Sequence, residues 1–351
     1  MKQEWQDSPV QDIVVVGAGP AGLAAAIAAR RAQLDCVVLE RRALVNSVLN
    51  FPTNMVFFTT PELLEIGELP FVTPYAKPTR DEALRYYRRA ADAFGLTVRL
   101  GYEVTAIRRE RQPDGTTVLV LDVDHAHEGT SRYLTRTAVV AIGAYECPNL
   151  LGIPGEELPH VAHYYTEAHP HYRKRVVVVG GKNSAAEAAL DLYRSGVDVT
   201  LIHRHAELGS GIKYWVRPDI ENRIKEGSVK ACFETRVVEI RPREVVIEAQ
   251  THQRDVLPAD AVLLLTGYHP DTEMLRRFGI DVVPETMVPA HAPDTYETNV
   301  PNLFLAGQVI SGIHSGQIFI ENGRFHGEMV VKEIARRLAV DGVIEPVSAG
   351  P

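Results

Sequence analysis

Two glycine-rich turns of one kind constrain this chain more than anything else in it. The first, Gly17-Ala18-Gly19-Pro20-Ala21-Gly22, follows the aliphatic run 13–16; the second, Gly180-Gly181-Lys182-Asn183-Ser184-Ala185, follows the run 176–179. Each opens into an alanine-rich, helix-forming stretch, and strand, turn and helix in that order are what a dinucleotide-binding unit needs. Glu40 lies 23 positions after Gly17 and His203 lies 23 after Gly180, so the same unit occurs twice. Two such units imply two bound dinucleotides, whose natural joint use is to pass a hydride from one to the other.

The local reading follows. Residues 12–16 are nearly all β-branched, as in a strand buried on both faces. Pro20 suits a helix start because it has no N–H to lose. Residues 24–31 read as helix and 35–40 as the next strand. In the second copy 175–179 is a strand, 184–195 a helix, Gly196 a stop and 197–203 a strand. Between and after the units come the β-rich stretches 96–108, 116–124 and 137–142, with Asp114-Gly115 as a hairpin turn, then 229–240, 244–250 and 261–266. A strand at 302–306 and one long helix over 317–339 end the pattern, the helix weakened at Gly323 and Gly327, where close packing is possible.

The 351 residues suffice for two domains, and 45% hydrophobic content excludes a disordered chain. No apolar run reaches the ~18 residues of a membrane span, and residues 1–10 carry no signal-peptide pattern. A net charge of −8 argues against nucleic acid as the main partner. Cys36, Cys147 and Cys232 are far apart with no C-x-x-C, the sparse usage expected in a reducing, cytoplasmic compartment.

In the first turn Gly17 permits the sharp exit from the strand, Gly19 leaves bare backbone for a pyrophosphate, and Gly22 lets helix and sheet approach. The amides and dipole of the helix start then face the phosphates. Glu40, at the end of the second strand, can accept hydrogen bonds from ribose hydroxyls. The second turn differs. Lys182 replaces the central glycine, and His203, followed by Arg204 and His205, stands where the first copy has Glu40. A carboxylate there would repel a 2′-phosphate, whereas an arginine binds it. The second site is therefore read as preferring NADPH, with Arg204 on the 2′-phosphate and Lys213 as a weaker candidate; the bland alternative leaves Arg204 a solvated surface residue.

With these units placed, the chain resembles the two-dinucleotide-domain flavoproteins of the thioredoxin-reductase-like branch. The runs 139–143 (VVAIG), 153–156 (IPGE), 265–271 (LTGYHPD) and 298–308 (TNVPNLFLAGQ) match that superfamily. The runs 50–54, 57–58, 67–71, 163–170, 180–185 and 318–323 resemble more closely the bacillithiol disulfide reductase family. The resemblance implies an α/β fold of two Rossmann-like domains of the three-layer ββα type, the NADPH domain (159–288) inserted into the FAD domain (1–158 and 289–351). It implies FAD at Gly17, Gly19, Pro20, Ala21, Gly22, Glu40, Arg41, Asn50, Thr53, Asn54, Val104, Gly143, Gly307, Gln308 and Ile318. It implies NADPH at Gly181, Lys182, Asn183, Ser184, Ala185, His203, Arg204, His205, Lys213 and Gly267. For Asn50, Thr53 and Asn54, turn chemistry is an equal alternative to contact with the flavin ring. The start of the last helix, around 315–318, would face the flavin.

The implied activity is transfer of hydride from NADPH to FAD and on to a small-molecule disulfide or a redox protein. The alternative is a ferredoxin or flavodoxin–NADP reductase of the same branch; a nucleotide-binding scaffold without turnover is a third class. Relatives imply a homodimer or larger homo-oligomer. Three departures stand out: there is no C-x-x-C before the second nucleotide strand, Ala21 stands where many of the family carry a cysteine, and Gln308 replaces the usual Asp.

No catalytic side chain is named. Cys36 reads as buried and inert, Cys232 as strand, and Cys147 as a loop thiol more often structural than reactive. His160, His163, His169 and His171 fit no zinc spacing, so no metal is expected. His314 and His326 are either proton donors near the flavin or core and capping residues. Arg85, Arg88 and Arg89 share a helix face, by default a wet one.

Overall fold

The computed structural model describes residues 9–125, 129–314, 316–340 and 342. The described residues form two compact units, one from those within 9–50, 55–147 and 268–342 and the other from 51–54 and 148–267.

In the first unit the β-branched segments Gln11–Val16 and Cys36–Glu40 form parallel neighbours, joined by the helix Pro20–Arg31. Val98–Leu100 extends the sheet beyond Cys36–Glu40. The long strand Gly129–Val140 has two duties. Its first half pairs antiparallel with Thr117–His125, which pairs in turn with Tyr102–Arg111. Its second half lies between Gln11–Val16 and the late strand Leu303–Leu305, parallel to both. Val14, Val16, Val37, Leu39, Leu119, Leu121 and Leu303 share one apolar cluster. The turn at Asp114-Gly115 closes as the sequence indicates: Thr116 N–H and hydroxyl donate to Asp114 Oδ1, and Gly115 takes φ +89°.

The second unit has three layers. A parallel sheet runs Lys230–Cys232, Asp198–Ile202, Arg175–Val179, Ala261–Leu264, Val161–Ala162. Alternation splits its side chains. Val176, Val178, Val199 and Leu201 face Ala185, Ala189 and Leu192 of the helix Asn183–Arg194. Val177, Val179, Ile202 and Val262 pack with Val237, Ile240, Val245 and Ile247 of the antiparallel sheet Thr235–Arg241, Glu244–Ala249, Arg254–Pro258. Strands apolar on both faces are what a doubly covered parallel sheet requires.

The compact units divide the chain at 147/148 and 267/268, with 51–54 joining the second unit, beside the sequence-based boundaries at 158/159 and 288/289. The turn-rich stretch after 153 packs inside the second unit, where Ile153 and Leu158 join its core and Ile240 N–H donates to Pro154 O at 2.9 Å. Met274, Leu275, Phe278 and Ile280 belong to the first unit's cluster. The expected helix over 317–339 is two helices, Ile320–Gly323 and His326–Val340. Asn322 reaches back, accepting from Phe319 N–H at 2.8 Å and donating to Gln317 O at 2.9 Å. Gly323 sits where a Cβ would come within 3.3 Å of Gly307 Cα. Of the expected helix start at 315–318, Ser315 lies outside the described residues and 316–318 are not helical; the four-residue helix that follows supplies no dipole worth the name. Gly327 does pack as expected: a Cβ there would lie 2.5 Å from Ala25 N of the first helix.

Candidate functional site

The first turn is built around backbone. Gly17 has φ +105°, and a Cβ on it would lie 2.6 Å from Ala141 O. A Cβ on Gly22 would lie 2.0 Å from Gly17 O, so the helix can leave the strand only with glycine there. Gly19 is the exception, with nothing within 4 Å of a Cβ. The helix Pro20–Arg31 starts at Gly19 with no side-chain cap and no acidic residue in its first turn. Open space in front of uncapped amides is what an anionic pyrophosphate fits. Gly143 is similarly open, with φ +67°. Ala21 packs on the other side, 2.6 Å from where a Cβ of Gly307 (φ +80°) would stand.

Glu40 first serves the turn itself. Its Oε2 accepts Ala18 N–H and its Oε1 accepts Arg42 N–H, each at 2.8 Å. Burial of the carboxyl, 7% exposed, raises its pKa above the ordinary value, against those two donors. Each oxygen keeps a second lone pair for a hydroxyl. Arg41 is ion-paired with Glu146 and lies 3.7 Å from Glu103. Asn46 Nδ2 donates to Glu146 Oε1 at 2.7 Å. Between them Val45, 1% exposed, holds φ +47° and ψ +47°, an outlier for a β-branched residue that costs about 1–3 kcal/mol. Its N–H donates to Ala18 O at 3.0 Å, so the strained segment is laced to the turn. Neither Asn46 nor Glu146 was legible in the sequence, because nothing local marks a pair 100 positions apart.

The remaining first-site residues scatter in role. Asn50 Nδ2 donates to Asn46 O at 2.8 Å, the turn chemistry rather than a free amide. Thr53 and Asn54 belong to the second unit, where Thr53 N–H donates to Thr166 O at 2.8 Å. Val104 is 2% exposed in the apolar cluster, so only its backbone is available. Gln308 hydrogen-bonds Tyr268, whose hydroxyl pKa is raised by burial. Ile318 is partly buried, its Cγ2 3.2 Å from a Cβ built on Gly323.

The second turn is more furnished. Gly180 has φ +153°, and a Cβ there would lie 2.6 Å from Leu265 O and 2.9 Å from Ala185 Cβ. The His203 ring covers Gly181, 2.2–2.4 Å from where a Cβ would be. The helix Asn183–Arg194 again starts with no side-chain cap and no acid in its first turn. Asn183 is spent on the facing loop: its Nδ2 donates to Gly211 O and its Oδ1 accepts Lys213 N–H, both at 3.0 Å. Lys213 Nζ is 2.7 Å from Glu187 Oε1. Lys182, Ser184, Arg204 and His205 are exposed. Arg204 Nε donates to His205 Nε2 at 3.2 Å, and the rings of His203 and His205 lie 5.2 Å apart. Burial, then His205 and Arg204, lowers the His203 pKa. Gly267 (φ +93°) closes the strand end, with Asn149 N–H donating to its carbonyl at 2.9 Å.

The three cysteines are free. Burial, with Asp35 and Asp12, pushes the Cys36 thiol up to about 12. Burial also raises Cys147, then Asp271, and Cys232, then Asp255. None is a poised thiolate. Among the described residues no three His, Cys, Asp or Glu side chains converge on a metal position. Arg85, Arg88 and Arg89 are exposed, Arg85 paired with Asp81. His314 is exposed, and His326 is buried with Nδ1 accepting Gly307 N–H.

Residues 14–307 match the family described as pyridine nucleotide-disulphide oxidoreductase. The bacilliredoxin reductase Bdr of Bacillus subtilis (strain 168) is 38% identical over 324 residues, covering 92% of this chain and 97% of that protein. The solved bacillithiol disulfide reductase Bdr (YpdA) from Bacillus cereus is 36% identical with a TM-score of 0.89, covering 93% of this chain and 99% of that one. Its counterpart from Staphylococcus aureus is 32% identical with a TM-score of 0.85, over 94% and 98%.

Proposed function

This chain belongs to the pyridine nucleotide-disulphide oxidoreductases, in their thioredoxin-reductase-like, Bdr-type group, and from that premise we propose that it moves two electrons from NADPH through FAD to a low-molecular-weight disulfide such as bacillithiol disulfide. The observation that carries the reading is the pair of uncapped, acid-free helix starts, each at the end of a glycine turn, on a chain with no dithiol. FAD, when bound, supplies the two-electron relay between the pyridine nucleotide and the disulfide.

The residues do the rest by holding. The backbone N–H groups of Gly19, Ala21 and Gly22 and the space over Gly19 take the flavin nucleotide's pyrophosphate, and Glu40 takes a ribose hydroxyl while bracing the turn. Gly143, Gly307 and Gln308 line the same site. In the second unit Gly181, Lys182, Ser184 and Ala185 take the NADPH pyrophosphate, and Arg204, with His203 and His205 beside it and Lys213 as a weaker candidate, takes the 2′-phosphate. Asn183 serves there by fixing the loop that carries Lys213. Positioning of the two rings supplies much of the rate. The balance is NADPH, a proton and one disulfide giving NADP⁺ and two thiols. With Ala21 at the fingerprint and all three thiols raised in pKa, the acceptor disulfide takes its electrons without a protein cysteine.

Anaerobic NADPH should bleach the yellow protein, and bacillithiol disulfide should restore the colour faster than ferredoxin. Colour restored only by ferredoxin would replace this reading with the ferredoxin–NADP reductase one, and a colourless protein that takes up no flavin would end both.

A further inference from the structure

His326 is a buried titratable side chain that the proposed reaction leaves without a task. It opens the helix His326–Val340 and is 6% exposed. Its Nδ1 accepts the N–H of Gly307 at 3.2 Å. Gly307 follows the strand Leu303–Leu305, takes φ +80°, and lies so close to Ala21 that a Cβ would come within 2.6 Å of the alanine methyl. A buried N–H without an acceptor costs about 1–3 kcal/mol, so the ring supplies what the turn lacks.

The ring is fixed from other sides. It stacks on Tyr296 at 4.6 Å and 24°, and Tyr296 O accepts Leu305 N–H at 2.9 Å. Gly327, the next residue, sits against Ala25 of the fingerprint helix. The bond to Gly307 requires an unprotonated Nδ1, which places the proton on Nε2. A cation at a helix N-terminus is also disfavoured. Burial, then His291, lowers the His326 pKa from 6.5. Among the groups around it, His291 stacks near Tyr296 at 6.0 Å, and Glu297 is spent on Arg337, which also holds Glu333. Among the described residues no carboxylate acts on the ring to favour its charged form.

We infer that His326 is a positioning residue for FAD: its neutral ring locks the Gly307–Gln308 turn against Ala21, and protonation of the ring unlocks it. The inference rests on the reading of 17–22 and 307–308 as the FAD site. Its pH sense follows from linkage. A folded-state pKa below the ordinary one means the locked form is fully favoured above about 6.5 and weakens as pH falls through the lowered value.

The test measures FAD affinity from flavin fluorescence, and flavin retained on desalting, between pH 8 and pH 5. The proteins are wild type, His326→Asn and His326→Leu. The amide oxygen of Asn stands near where Nδ1 stood and does not titrate. Wild type should lose about tenfold in affinity toward pH 5, H326N should hold a flat profile, and H326L should bind about tenfold more weakly at every pH. Wild-type affinity in H326L at pH 7.5, or the full acid loss persisting in H326N, would overturn the inference and leave the FAD reading intact. A wild type that binds no FAD at pH 7.5 would overturn both. Should H326L fail to fold, wild type against H326N decides.

Discussion

The two glycine turns share a spacing and little else. Around Gly17–Gly22 the two tight positions are both closed by main chain: carbonyl oxygens of Gly17 and Ala141 stand where side chains would be, Gly19 between them is open, and Glu40 ties two more amides down. Around Gly180–Ala185 only Gly180 meets main chain, at Leu265 O; the central position is set by side chains, with an imidazole over Gly181, an asparagine pinning a loop, and basic groups at the surface. Backbone walls cannot yield, while side-chain walls can rotate. The first turn suits a ligand that is held, and the second one that comes and goes each turnover.

The largest expected effect tests that contrast directly. Gly22→Ala places a methyl 2.0 Å from Gly17 O, and the protein should purify without flavin. Gly181→Ala meets only the movable His203 ring, so the variant should fold, keep its FAD, and be reduced more slowly by NADPH. Absorbance at 450 nm against 280 nm and anaerobic stopped flow read the two; equal flavin loss in both would break the comparison. Next, Arg204→Ala should raise the NADPH KM about 10- to 100-fold and leave the NADH KM unchanged, the size of a lost charge-assisted hydrogen bond. A smaller effect concerns His203. Its lowered pKa leaves it neutral in the free protein, and a 2′-phosphate beside it would favour the proton. NADPH affinity should therefore rise a few-fold as pH falls from 7.5 to 5.5 while NADH affinity does not, and His203→Gln should flatten that difference. Smallest of all, Cys147→Ala should leave turnover within about twofold of wild type, since a raised thiol pKa makes a poor nucleophile.

The sequence made the repeated unit legible because its signals are local. Strand, turn and helix follow one another within 30 residues, and β-branched runs such as 12–16 leave few alternatives. The hairpin at Asp114-Gly115 was legible for the same reason. What escaped is non-local. Glu146 holds Arg41 and Asn46 from 100 positions away, Asn183 is claimed by a loop 28 to 30 residues on, and Thr53 with Asn54 folds with a unit whose sequence begins at 148. The break in the last helix is also tertiary. Propensity favours one helix through 317–339, but Gly323 must meet Gly307 and His326 must turn inward to Gly307 N–H.

The late strand Leu303–Leu305 and the helix behind it complete a sheet begun at Gln11. A ribosome releases the chain from its amino end, so the interposed 148–267 unit has all of its residues while the surrounding sheet still waits for Leu303. During synthesis the 148–267 unit can ripen early, and the first unit's sheet stays an unfinished, aggregation-prone edge until Leu303–Leu305 has been made. Free flavin in the cell should therefore govern the yield of soluble protein more strongly than free NADP⁺ does.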